Sequence, residues 1–458
     1  MFKSLTHINI NWFAFLGISF IFLLIPGITV FSFLAFTISL YQFFLLFYSA
    51  NHIIPVRYIF GALMCLQFLI GPGLAYNGFD EYQYFVYKMQ IPEVEYFSYA
   101  LPAVVVFILG LNYLSDLKGE YINGQAIEKF TLGRPNFPYI MIGIGFFSSF
   151  IAGFFSSDLA FIFYLISGFK FVGFFWLILS TRRIKPLPLV VVYGSVISSS
   201  LVNGMFHDLI TWVIFLGFIY AYRYKPNTAV KASLTALFVL ILIGIQLSKN
   251  SYRGAITEGK EAGIETLSEA YQERNTNTNE FFSAANLAPS IVRINQGFIL
   301  TNIIKNVPKR VPFSNGDEMK QILDAAILPR ILAPDKLKAG DKTIFIKFSG
   351  IQIRDNTSMA LGSLGDAYLN FGIFGGCIFM FLYGLLFNFV LKRFYKFSKY
   401  SPVLLLFTPL VFYYPIRPDC ELQTILGHLV KSCFLIAVVF FIWKSKFQNI
   451  TSRTVVAH

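Results

Sequence analysis

Apolar runs of about 16 to 24 residues follow one another along most of the chain, and that is the length an α-helix needs to cross a bilayer. Each run is closed by Gly, Pro or charged residues. The runs lie near residues 10–25, 28–50, 57–75, 97–114, 138–154, 159–180, 187–203, 206–221, 229–248, 366–390, 402–415 and 424–443. They predict an all-α, polytopic membrane protein with about twelve transmembrane helices. At 458 residues the chain has room for soluble domains, but 56% hydrophobic and 13% charged residues exclude that class. The first run ends in Leu23-Leu24-Ile25-Pro26-Gly27 without a small-residue cleavage site, so it is expected to be the first transmembrane helix and not a signal peptide.

The pattern breaks once, at a long polar segment. It divides the chain into an N-terminal bundle of about nine spans (1–248), a large loop (249–365), and a C-terminal bundle of about three spans with a tail (366–458). Inside the loop, residues 263–274, 290–307 and 317–332 have helix-like apolar spacing interrupted by Gly, Pro and Asn. The middle stretch has an apolar face and few charges, and is expected to lie in the membrane interface. A pore or anchor needs no such loop. We read it as one wall of a catalytic site; the plainer alternative is a small helical cap that only packs on the bundle.

Orientation follows from Lys and Arg in the short loops, which stay cytoplasmic. Arg182, Arg183 and Lys185 mark one such loop, Arg223, Lys225 and Lys231 a second, and Lys392, Arg393, Lys396 and Lys399 a third. Lys3 near the start, and Lys444, Lys446 and Arg453 near the end, put both termini on the same side. With twelve spans this places 249–365 outside a cell (inner) membrane. The net charge of +13 lies mostly in these loops, where positive-inside topology and anionic headgroups account for it, so no nucleic-acid partner is expected.

The usual cofactor and metal signatures do not occur. Cys65, Cys377 and Cys433 fall in apolar runs and Cys420 stands alone in a turn; His7, His52, His207, His428 and His458 are scattered without ligand spacing. No glycine-rich phosphate loop or dinucleotide fingerprint and no internal repeat is present. The 54 Phe and 25 Tyr read as lipid-facing residues and not as a cofactor box.

Arginines gather where outer elements would meet the membrane. Arg253 follows the ninth run, Arg330 and Lys336 lie in 328–336, Arg354 and Asp355 in 351–358, Asp366 opens the tenth run, and Arg417 and Asp419 precede the last. A guanidinium is always charged and grips phosphate oxygens bidentately, so several at one face suit a lipid pyrophosphate. Each alone reads equally well as a headgroup-snorkelling charge. Within the runs, Lys170 lies mid-span, and His428 and Lys431, three positions apart, share a helical face. Intramembrane charge usually faces a polar cavity, so Lys170 and Lys431 are candidates to line a substrate cleft, with structural pairing as the alternative. His207 with Asp208 reads as a span-end pair, with an acid–base dyad as the alternative.

These motifs carry a resemblance. Ser251-Tyr252-Arg253-Gly254 after a span, the stretches 328–336 and 355–376, and Ile416-Arg417-Pro418-Asp419 before the last span together resemble the oligosaccharide repeat unit polymerases, the Wzy-type O-antigen polymerase family. The resemblance covers roughly the C-terminal half. It implies a type C glycosyltransferase-like fold and a metal-independent enzyme without cofactor. The implied reaction joins repeat units carried on undecaprenyl pyrophosphate at the outer face, with membrane lipid, a chain-length regulator and a flippase as its setting. Arg253, Arg330, Arg354 and Arg417, helped by Lys336, would hold the pyrophosphate; Asp355 or Asp366 would take the acceptor proton; Lys170, Lys431 and Asp419 would line the cleft. Two features depart from the family. Arg253 to Gly263 and Arg330 to Gly340 each enclose nine residues where the family has ten, and Gly365-Asp366-Ala367-Tyr368 carries Asp where the family has Glu. The related O-antigen ligases use a histidine in the large loop, and 249–365 contains none. A lipid-linked oligosaccharide flippase, from another class, would show repeated halves and charges spread along the spans. A purely structural role in envelope assembly is the remaining alternative.

Overall fold

The computed structural model of the chain describes residues 8–115, 120–155, 157–181, 186–276, 284–328, 336–337, 340–353 and 359–447. Helix is the only regular structure among them. The N-terminal part holds α1 (Trp12–Phe22), α2 (Val30–Ser49), α3 (Val56–Tyr76), α4 (Glu93–Leu111), α5 (Gly124–Leu132), α6 (Phe137–Phe154), α7 (Ala160–Ser180), α8 (Pro186–Asn203), α9 (His207–Tyr224) and α10 (Thr228–Thr257). The loop folds as α11 (Ile264–Thr276), α12 (Ala284–Ile294), α13 (Gly297–Asn306), α14 (Asp317–Ile327) and α15 (Lys342–Ser349). The chain closes with α16 (Gly362–Ser398), α17 (Pro402–Val411) and α18 (Leu422–Ile442).

Among the described residues nine helices are long and apolar enough to cross a membrane: α2, α3, α4, α6, α7, α8, the Thr228–Lys249 part of α10, α16 and α18. Helices α1 and α17 are apolar but shorter. This is a helical membrane protein. Its helix starts follow local chemistry, since Asn11, Thr29, Asn123 and Asn227 each accept the backbone N–H three residues on and so satisfy an orphan donor. Its tightest seam is between α4 and α16, where a Cβ on Gly110 would stand 2.3 Å from the Phe381 carbonyl oxygen, and one on Gly384 would stand 2.3 Å from that of Phe107. Small residues let helix backbones touch in this way, and the contact replaces the hydrophobic drive that lipid cannot supply.

The loop is woven into the bundle. Residues 290–307, expected as one stretch at the membrane interface, form two helices, and most of α13 is buried against protein. A π-helical turn at Leu66–Ile70 in α3 makes room for it. The Gln67 carbonyl accepts the Gln296 N–H at 3.0 Å. Gly71 and Gly297 permit the approach, for a Cβ on Gly71 would meet the Ile294 carbonyl at 2.5 Å and one on Gly297 would meet Pro72 at 2.4 Å. A second stitch lies at Gly372, whose φ of 65° breaks α16. The nearby Leu369 carbonyl accepts from Ser314 N at 2.9 Å, and Asn370 accepts the Met319 N–H at 3.1 Å, satisfying the start of α14.

Basic residues mark one end of the bundle. There Arg223 donates to the Thr181 carbonyl, Lys231 to that of Phe47 and Lys392 to that of Tyr113, while Arg57 and Glu120 form a buried pair. The loop and the turns at 204–206 and 412–421 meet at the other end, where Arg253 reaches Gly204 and Gly340 reaches Glu421.

Candidate functional site

At that second end a cavity of about 210 Å³ opens among α7, α8, α9, α17 and α18. Its position follows from local sequence. Gly145 of α6 has no side chain to hold α7 away, and a Cβ there would stand 2.4 Å from the Lys170 backbone nitrogen; Lys170 itself belongs to the cavity lining. Its ammonium lies 5.2 Å from the Phe146 ring and 5.5 Å from that of Phe171, a cation–π setting for a charge within a span. One aromatic wall is built of Phe171, Trp212 and Tyr413. Trp212 stacks on Phe171 at 3.7 Å and on Tyr413 at 5.3 Å. Ser195, Ser199, Ser200 and Asn203 of α8 supply hydroxyl and amide groups to the lining.

The rim carries an ionisable pair. His207 Nε2 lies 2.8 Å from Asp208 Oδ1, and the Tyr413 hydroxyl also donates to that carboxylate. The two side chains are 44% and 42% exposed. Deeper in, the His428 ring is buried with Nε2 2.8 Å from the Leu410 carbonyl oxygen, and its Nδ1 is buried without a partner. A carbonyl oxygen can only accept, so Nε2 carries the proton and Nδ1 is an unmet acceptor.

Two arginines flank this rim. Arg253 Nε donates to the Gly204 carbonyl at 2.9 Å, and the neighbouring Tyr252 hydroxyl to that of Leu201 at 3.0 Å, pinning the end of α10 to the α8–α9 turn. Partial burial first, and the Arg293 guanidinium on α12 second, pull the Arg253 pKa down. Two cations thus crowd here. Arg417 lies over Tyr414 at 5.5 Å with Nη2 3.7 Å from Asp419, and its buried Nη1 has no partner. Burial opposes its charge, but neighbouring groups, Cys420 and Asp419 first among them, raise its pKa above the usual arginine value. Its charge also acts on Asp208.

Of the expected site residues, Lys170 lines the cavity, Arg253 is tied to the turn at Gly204 beside the lining residues Asn203 and Met205, and Arg417 with Asp419 lies by Tyr414, next to the lining residue Tyr413. Lys431 lies outside the lining, its ammonium 4.6 Å from the Phe161 ring that also meets His428 at 6.3 Å. Lys336 donates to the Ala325 and Leu328 carbonyls at the end of α14. Asp366 is 6% exposed near the carboxylates of Glu421 and Glu318. Arg330, Arg354 and Asp355 lie outside the described residues. Sequence reasoning did not single out Arg293, Tyr413 or the α8 serines. The one available signal was the serine cluster 198–200 on a helix otherwise rich in Val. Among the described residues no group of three or more His, Cys, Asp and Glu is placed to hold a metal ion. A hollow of about 270 Å³ at the basic end, lined by His52, Tyr121 and Lys231 among others, contains no carboxylate.

A family model described as a domain of unknown function, DUF8712, matches residues 12–446. The chain belongs to this family. The DUF8712 match runs from α1 to beyond α18 and so includes the whole cavity and both arginines. Searches of curated proteins and of solved structures return no match.

Proposed function

We propose that this protein is an oligosaccharide repeat unit polymerase, joining undecaprenyl-pyrophosphate-linked units into a surface polysaccharide such as O-antigen, capsule or exopolysaccharide. On this reading α1, α9 and α17 complete twelve spans, the basic end faces the cytoplasm with both termini, and the loop with the cavity faces outward. One observation carries the proposal: Arg253 and Arg417, far apart in sequence, are each held beside residues that line one cavity, Arg253 at Gly204 next to Asn203 and Arg417 over Tyr414 next to Tyr413, at the end of the bundle opposite the basic loops. Both keep N–H capacity for an anion, since Arg253 commits Nε to Gly204 and the buried Arg417 Nη1 has no partner. They hold the donor pyrophosphate and stabilise the charge that grows on it as the C1–oxygen bond breaks. Arg330, Arg354 and Lys336 are the further candidates for this grip.

Deleting the gene should leave cells that still transfer a single repeat unit to the final acceptor but make no long chains. Loss of even the single-unit product, read on a gel, would instead indicate the ligase or the flippase. The flippase reading draws on Lys170 and Asp208 at a membrane-level cavity.

Topology gives an independent check. Reporters or single cysteines near Lys260 and Asn315 are expected to label from the outer compartment, and those near Lys185, Lys225 and Lys396 from the cytoplasm. A cytoplasmic Asn315 ends the proposal, because repeat units are joined after they have been flipped outward.

A further inference from the structure

We infer that the cavity beneath the His207–Asp208 rim seats the acceptor sugar, and that Asp208 is the base that takes the proton from its attacking hydroxyl. This deepens the polymerase reading and rests on it. The lining fits a sugar on three counts. First, the buried His428 Nδ1 is an acceptor without a donor, the Lys170 ammonium lies over the Phe146 and Phe171 rings, and Ser200, 3% exposed, belongs to the same lining. A ligand with several hydroxyls, each both donor and acceptor, satisfies such a mixed set; an apolar chain satisfies none of it. Second, the mutually stacked Phe171, Trp212 and Tyr413 rings give the same lining a continuous apolar part. Third, about 210 Å³ is below the roughly 300 Å³ at which pockets for drug-sized ligands begin, which suits one ring of an oligosaccharide.

Asp208 is placed for the chemistry. Its side chain is 42% exposed at the rim, held by His207 and Tyr413, at the start of α9 just after the turn that Arg253 grips through Gly204. Asp366, by contrast, is 6% exposed and faces other carboxylates. The step balances. The acceptor oxygen bonds to donor C1 while its proton passes to Asp208. The C1–oxygen bond to phosphate breaks with its electron pair left on the lipid pyrophosphate, and Asp208 later returns the proton to water.

The test uses purified full-length protein and two probes. One is the lipid-linked single repeat unit extracted from gene-deleted cells; the other is the same oligosaccharide released from its carrier by mild acid. Asp208→Asn should lower kcat for chain extension about a hundredfold while changing KM little, as expected for loss of a general base. If that variant does not insert, Tyr413→Phe, which removes one bond to the carboxylate, should lower kcat about tenfold. The carrier-free oligosaccharide should change tryptophan fluorescence saturably in wild type but not in Trp212→Phe, and Ser200→Leu, which fills the cavity, should weaken that binding at least tenfold. Chain extension by Asp208→Asn at the wild-type rate overturns Asp208 as base, as would wild-type kinetics in Tyr413→Phe if that variant is the one tested. Equal binding by Ser200→Leu, or no binding by wild type, overturns the cavity as the sugar seat. A wild type that binds the oligosaccharide and never extends chains removes the polymerase reading and Asp208's role with it, while leaving the seat supported.

Discussion

Glu120→Gln should destabilise this protein by on the order of 3 to 5 kcal/mol, because it leaves the Arg57 charge buried without its counter-ion. The Arg57 and Glu120 side chains are 1% and 3% exposed, with Nη2 2.5 Å from Oε1. Arg57 Nη1 also donates to the Leu111 carbonyl and, at 3.0 Å, to Asn388 Oδ1, so one guanidinium joins α3, the end of α4 and α16. Asn388 continues the joint by donating to the Gly110 and Tyr113 carbonyls. Yet the pair is incompletely satisfied, since Arg57 Nε and Glu120 Oε2 are buried without partners. Desolvating two charges costs several kcal/mol per ion, and incomplete bonding recovers less of it. The double variant Arg57→Met/Glu120→Met should therefore lie closer to wild type than Glu120→Gln does. Thermal unfolding in detergent, followed by fluorescence-detected gel filtration, distinguishes the cases. A single variant as stable as wild type would mean that Arg57 is solvated at this end of the bundle.

The sequence carried the spans in its apolar lengths. The run at 28–50 is α2 (Val30–Ser49), and the run at 424–443 is α18 (Leu422–Ile442), because a span must satisfy its own backbone and so declares itself locally. The run at 402–415 was harder to read. Its Pro402 and Pro409 lack N–H donors, and the segment folds as a 3-10 stretch, Pro402–Phe407, followed by a single helical turn, Thr408–Val411, buried on all sides. Helix α5 sits inside a polar connection, where its short amphipathic pattern is outweighed by its charges. Nothing local announced that α13 would enter the bundle. That depends on Gln67 meeting Gln296 and on Ser314 meeting Leu369, contacts between positions far apart in the chain.

The site was legible to the same degree and for the same reason. Arg253, Arg417 and Lys170 stood out because a charge at or inside an apolar run is conspicuous. Asp208 with His207 is just as conspicuous but reads as a span-end pair, and the two side chains do pair at the start of α9. What turns it toward chemistry is Tyr413, which comes from the other end of the chain and stacks on Trp212 one turn after Asp208. The orphan His428 nitrogen likewise depends on Leu410 occupying the other one. Burial and partner choice of this kind are tertiary facts, and residue type alone does not encode them.

Arg253→Lys should reduce polymerisation nearly as much as Arg253→Ala. Arg253 spends Nε on the Gly204 carbonyl, and this fixes the plane of the guanidinium with its two Nη groups side by side. A lysine presents one compact ammonium on a flexible stem, so it can replace the tie to Gly204 or meet the phosphate, but not hold a two-point grip while tied. Losing one charge-assisted contact to a developing phosphate charge should cost on the order of 3 kcal/mol, about a hundredfold in rate, with protein amount and insertion unchanged. A headgroup-anchoring arginine would accept lysine without loss. Arg417→Lys should behave similarly, since its Nη1 is buried and unpartnered while Nη2 leans toward Asp419. The control is Lys260, whose exposed pairing with Glu269 at 3.1 Å is of a kind worth little in water, so Lys260→Ala should leave chain length as it was. Chain-length ladders on a gel, with protein amounts matched by immunoblot, decide among these outcomes. A normal ladder from Arg253→Ala would take the pyrophosphate grip away from α10 and leave Arg417 as the arginine of this rim still to be tested.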